Sequence, residues 1–231
     1  MPFFFDPAYL LLIPAILLSL YAQAKVQTTF SKYAKVPARS GINGAQAARE
    51  LLRQNQLYDV KVEQVSGRLS DHYDPRSKTL RLSPEVYSSS SLAALGIAAH
   101  ETGHAFQHNN EYVPLKLRNA IVPVANIGSN LAFPLLLLGI ILSMPTLVQI
   151  GIIAFSAAVL FQLITLPVEY NASNRAVAAL ESGGMIQGDE TGSTRKVLNA
   201  AALTYVAATL MSILQLLRLL LIAGGGRRNR R

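Results

Sequence analysis

Four long apolar runs dominate the chain, at residues 8–22, 120–142, 146–168 and 200–223. Each approaches or exceeds the roughly 20 residues needed to cross a bilayer core as a helix. The first is short and the last contains Arg218, so these two are the less regular spans. Polar residues inside the runs recur at helical spacing: Asn119, Asn126 and Asn130; Gln162, Thr165 and Glu169; Tyr205, Thr209, Ser212 and Gln215. Polar groups on a membrane helix face protein or water rather than lipid. The stripes therefore predict a bundle with an interior, helix–helix hydrogen bonding being the other role open to them. The two central runs are expected to form a hairpin across Ser143-Met144-Pro145.

Residues 24–118 have a different pattern. Asn43 followed by AQAARELL predicts a short capped amphipathic helix. Tyr58–Val65 alternates polar and apolar residues as a half-buried strand does, and Leu69–Tyr73 is a second short candidate. Asp74-Pro75-Arg76-Ser77 is a turn signal, and Lys78–Ser83 returns as a third strand, giving a small antiparallel sheet. A helix opening near Ser91 is apolar almost all round, so whatever it carries lies in the interior.

That helix carries His100-Glu101-Thr102-Gly103-His104. Residues four apart share a helix face, so His100 and His104 can aim ring nitrogens at one metal ion. Glu101 falls on the neighbouring edge, where it can reach a water rather than the ion. Two imidazoles and an adjacent carboxylate are the equipment of metal-assisted peptide hydrolysis. The alternative is a helix with two ordinary histidines. The chain has no cysteine, so thiolate ligands and disulfides are excluded and zinc must be held by nitrogen and oxygen.

A catalytic zinc takes three protein ligands. His108 is two turns beyond His100 and too far along the same straight helix to join both; it reads as a supporting or surface residue. His72, beside a turn, is a candidate substrate contact or an ordinary turn histidine. Glu169 is the better third ligand, being the only carboxylate between Glu111 and Glu181 and the end of a polar stripe.

HETGHAFQH followed by LPVEYNASNRA, together with YAQAKVQTTFSKY, GRLSDHYDPRSKTLRLSPEVY and PLKLRNAIVPVANIGSNLAFP, resembles the YugP-type membrane zinc metallopeptidases, relatives of the gluzincins. The resemblance covers nearly the whole chain. It implies an α-helical integral membrane protein of about four spans with a small α+β gluzincin-like metallopeptidase domain, Zn²⁺ on His100, His104 and Glu169, and Glu101 as general base. Many gluzincins have an Asp four residues after the ligand Glu. Here Ser173 stands there, with Asn171 nearby, and either oxygen can accept an imidazole N–H.

The implied organisation is a membrane anchor at 1–23, a catalytic domain at 24–118, a membrane hairpin at 119–168, a third-ligand helix and loop at 169–199, and a last membrane helix with basic tail at 200–231. Ala22-Gln23-Ala24 has the form of a signal-peptide cleavage site, but no Lys or Arg precedes the apolar run, so it reads as a retained anchor. The net charge of +8 sits beside the spans, facing anionic headgroups, without interleaved aromatics; nucleic acid is not an expected partner. Lys25, Lys32, Lys35, Arg39, Lys116, Arg118, Arg175, Arg195 and Lys196 on one side outweigh Arg227, Arg228, Arg230 and Arg231 on the other. This places the catalytic domain on the cytoplasmic side of the plasma (inner) membrane.

The expected function is zinc-dependent endopeptidase action on membrane or membrane-adjacent proteins, with quality control as its setting and peptide or protein substrates and membrane lipid as partners. A non-catalytic zinc-binding scaffold is the alternative; an intact Glu101 speaks against it, since a structural site needs no base. A transporter is a third class, disfavoured because no span carries a midplane carboxylate.

Overall fold

The structure is a computed structural model that describes residues 7–228, with side chains from 8 to 224. Asn229–Arg231, the end of the basic tail, lie outside the described residues. A 3-10 segment, Pro7–Leu12, leads into α1 (Ile13–Tyr33). After it come α2 (Gly44–Gln54), β1 (Lys61–Gln64), β2 (His72–Asp74), β3 (Thr79–Leu82), α3 (Pro84–Tyr87) and α4 (Leu92–Asn109). Three long helices complete the chain: α5 (Val113–Ile141), α6 (Pro145–Ser182) and α7 (Asp189–Arg228). Among the described residues, four helices are long and apolar enough to cross a membrane, in the segments Ala8–Tyr33, Val113–Ile141, Pro145–Ser182 and Asp189–Gly224.

The chain divides into two compact units. One comprises residues 1–22, 117–166 and 204–231. Within it α5 and α6 form the hairpin, and small residues let their backbones meet: a Cβ on Gly128 would stand 2.5 Å from the Ala154 carbonyl oxygen. Leu136, Ile152 and Leu219 form its apolar cluster. Ile153 on α6 is 70% exposed, as a lipid-facing side chain is. The polar stripes behave differently from one another. Thr165 and Thr209 are buried, but Asn119, Asn126 and Asn130 are all exposed, so the asparagine stripe does not line this unit's interior.

The second unit comprises residues 23–116 and 167–203. α2 begins with a reciprocal cap: Asn43 Oδ1 accepts from the Gln46 N–H and Gln46 Oε1 accepts from the Asn43 N–H, both at 2.9 Å. Its Leu51 and Leu52 pack with Leu95, Ala99, Leu180 and Ile186 in the main core. The sheet departs from the expected antiparallel meander. Its order is β1-β3-β2, with β1 parallel and β2 antiparallel to β3. β3 takes the centre because Leu80 and Leu82 are fully buried, whereas β1 is largely exposed and β2 only half-buried. The hairpin between β2 and β3 is closed by Asp74, which accepts from the Arg76 N–H at 3.0 Å and the Ser77 hydroxyl at 2.7 Å. These bonds hold the Asp74 carboxyl down at about 2.

α4 is the axis of this unit. Ser91 caps it, its hydroxyl accepting from the Ala94 N–H at 3.2 Å, and its first two turns are buried as the apolar pattern predicts. Gly103 explains how closely α6 approaches: a Cβ there would stand 2.6 Å from the Ala172 carbonyl oxygen. The third apolar run and the segment expected as a separate helix after it are one helix, α6, continuous through Pro167. That proline removes one intrahelical hydrogen bond without ending the helix.

Candidate metal centre

Three side chains from two elements converge beside α4. One ligand atom each from His100, His104 and Glu169 lies within 4.8 Å of the others. Helical geometry supplies the first two, whose rings stand edge to face with centroids 4.8 Å apart. The Gly103–Ala172 contact supplies the third, because it seats α6 against α4 at the level of Glu169. Glu169 Oε2 lies 3.2 Å from His100 Nε2 and 3.7 Å from His104 Nε2. Four ligands at about 2.0–2.1 Å in a tetrahedron are about 3.3–3.4 Å apart. The donor set, two nitrogens and a carboxylate oxygen, and its spacing both fit a zinc ion.

The remaining ring nitrogens are tied down. His104 Nδ1 lies 3.0 Å from Gln107 Oε1, and Gln107 Nε2 donates to the Val168 carbonyl at 2.8 Å and to Asn171 Oδ1 at 3.0 Å. Since Val168 O only accepts, the Gln107 amide has one sensible orientation, and its Oε1 must receive the proton of His104 Nδ1. Nε2 of His104 is then the nitrogen with a lone pair for an ion. Asn171 Oδ1 also accepts from Arg175 Nε at 2.8 Å, and Arg175 lies over the Tyr112 ring. On the other side, His100 Nδ1 meets Ser173 Oγ at 3.1 Å. Ser173 and Gln107 thus each meet the Nδ1 of one of the two imidazoles.

Electrostatics at the site favour a cation. Burial disfavours a charged His104, yet the nearby Glu169 and Glu101 carboxylates outweigh that and hold it above the usual imidazole range. Glu169 is 2% exposed. A carboxylate buried this deeply needs positive charge beside it.

Glu101 stands outside the three-residue cluster. Its Oε2 accepts from the Tyr73 backbone N–H on β2 at 3.1 Å, which aims the carboxylate. Asp71 is close enough for the Glu101 charge to add to burial, which chiefly pushes the Asp71 carboxyl up; Asp71 accepts from the Ser83 N–H at 2.8 Å. The other histidines are not brought to the cluster. His108 Nδ1 hydrogen-bonds the Tyr73 hydroxyl at 2.9 Å and lines a cavity of about 210 Å³ with Asp59, Lys78 and Glu111. Burial, with Asp59 and Asp74 nearby, pushes that hydroxyl up to about 12, so it stays protonated. His72 is exposed on β2, its Nδ1 at 2.7 Å from the Ser70 carbonyl. Tyr170 is 43% exposed on α6, and Tyr205 lies in the other unit.

β3 is hydrogen-bonded on both edges, by β1 and β2. It offers no free edge, and strand addition there is excluded. Two supporting features escaped the sequence reading. Gln107, three residues after His104, had helical proximity as its only signal. The Tyr73 backbone N–H had none, because a main-chain donor carries no residue signature.

Comparison with known proteins bears on this geometry. Residues 8–224 match the family described as "Putative neutral zinc metallopeptidase". The chain is 52% identical over 217 residues to the "Putative membrane protease YugP" of Bacillus subtilis (strain 168), covering 94% of this chain and 96% of that protein. No solved structure matches. With the match running almost end to end, the chain belongs to this family of neutral zinc metallopeptidases, and its metal is zinc.

Proposed function

We propose that the protein is a membrane-embedded zinc endopeptidase with a gluzincin-like catalytic arrangement, cleaving membrane or membrane-adjacent proteins in quality control. The convergence of His100, His104 and Glu169 within 4.8 Å, with Glu101 one residue from the first ligand, carries the reading. The residues expected to hold zinc are those three, and when bound the ion supplies Lewis acidity to the scissile carbonyl. Glu101, held by the Tyr73 N–H, takes a proton from the attacking water and returns it to the leaving amine. Gln107 and Ser173 fix the two imidazoles by their Nδ1 atoms, so neither ring must reorient during the reaction. The low-dielectric surroundings of buried Glu169 strengthen every charge interaction at the centre.

The excess of Lys and Arg beside the catalytic segments supports a cytoplasmic site at the plasma membrane. The test of activity is Glu101→Gln, purified in detergent beside the wild type, with bound zinc and casein cleavage measured. Zinc is expected to be equal and cleavage to fall by about 10²–10⁴, the usual contribution of a general base. Equal cleavage would remove Glu101 from the mechanism.

A further inference from the structure

Asn126 and Asn130 stand near the middle of the apolar run 120–142 of α5, one helical turn apart. Both are exposed, and no side-chain hydrogen bond is found for either among the described residues. The face that α5 buries is a different one: Ala125, Gly128, Ala132 and Leu136 are the inward positions, where Gly128 meets Ala154 and Gly151 meets Leu136. On a helical projection the asparagines lie about 135° from that inward face. They therefore point away from the unit to which α5 belongs, at a depth where lipid has no hydrogen bonds to offer. An amide without a partner is costly in hydrocarbon.

We propose that this face of α5 is where two copies of the chain associate in the membrane, through Asn126 and Asn130. Copies of a membrane protein share one orientation, so the two-fold axis relating them runs along the membrane normal. Such an axis brings each asparagine level with its counterpart. A carboxamide has both a donor and an acceptor, so two identical ones satisfy each other, whereas a lysine or glutamate pair would repel. Interhelical amide bonds of this kind hold membrane helices together. Leu137, two turns beyond Asn130, continues the same exposed stripe.

The chain has no cysteine, which permits a direct test. Leu137→Cys is oxidised in native membranes, with Ile153→Cys on the exposed face of α6 as the comparison. The Leu137→Cys protein is expected to yield a disulfide-linked species of twice the chain mass. Adding Asn126→Leu and Asn130→Leu, which leave a lipid-compatible helix, is expected to slow that cross-linking at least about tenfold, with bound zinc unchanged as the measure of folding. A monomer that resists cross-linking, or cross-linking that survives both leucines, would overturn the proposal. So would a cross-link from Leu137→Cys to a protein of another mass, which would assign the face to a different membrane partner.

Discussion

Gln107→Leu isolates the support of His104, one of the proposed zinc ligands, from the ligand itself. The side chain is fully buried and of nearly the same size as leucine, so the core stays filled. The substitution removes the acceptor 3.0 Å from His104 Nδ1 and leaves that buried N–H unpaired. A buried donor left unsatisfied costs about 1–3 kcal/mol. Partners of metal-ligating histidines are worth about 10–100-fold in metal affinity, which is about 1.4–2.7 kcal/mol and agrees. Asn171 Oδ1 loses the Gln107 donor but keeps Arg175, and the Val168 carbonyl loses its side-chain donor. The assay is zinc affinity in detergent by competition with a chromophoric chelator, read beside the melting temperature of the metal-free protein. Affinity should drop by one to two orders of magnitude, with the metal-free melting temperature also lowered by the lost buried hydrogen bonds but the fold retained. Wild-type affinity in a folded Gln107→Leu protein would show that the hydrogen bond does not set the His104 ring, and the tautomer argument would be wrong.

Other substitutions probe other parts of the same construction. Gly103→Ala puts a methyl group 2.6 Å from the Ala172 carbonyl, a backbone atom that cannot swing away; overpacking of about 1–3 kcal/mol and weaker zinc binding are expected, read by thermal melting and metal analysis. Glu169→Ala should lower bound zinc, and unchanged metal content would reassign the third ligand. Asp71 titrates above its unfolded value because it is buried, so its charged form opposes folding above the folded value and that penalty disappears below the unfolded value of about 3.8. Asp71→Asn keeps an acceptor for the Ser83 N–H and should melt higher than wild type at pH 7.5, with the gap narrowing as pH falls toward 4; a gap that widens on acidification contradicts the sign. Tyr58 is 77% exposed, so a Tyr58→Cys protein reports the side of the catalytic unit: an impermeant maleimide should label it only after the membrane is opened.

How much could be read in advance differed from feature to feature. The capped helix at Asn43 and the buried helix opening at Ser91 depend on neighbours within a few residues, and they lie where local pattern put them. The four apolar helices are likewise a matter of length and composition. Strand order was not local. Alternation marks a strand but not its neighbours, and the central place of β3 follows from Leu80 and Leu82 finding cover in the core. The asparagine stripe shows the same limit: spacing says that three residues share a face, not which way the face turns.

Sequence alone determined the helix that brings His100 and His104 one turn apart, since 3.6 residues per turn leaves no other arrangement. It also determined that any metal here must be met by nitrogen and oxygen, because the chain has no thiol. Only the tertiary structure decided that Glu169, sixty-five residues beyond His104, comes within 3.7 Å of its ring. The physical reason is the contact of Gly103 with Ala172, a close approach of two helices that depends on what both of them lack. The same contact brings Ser173 and the Val168 carbonyl to the histidine side, giving the imidazoles partners that no spacing along the chain reveals.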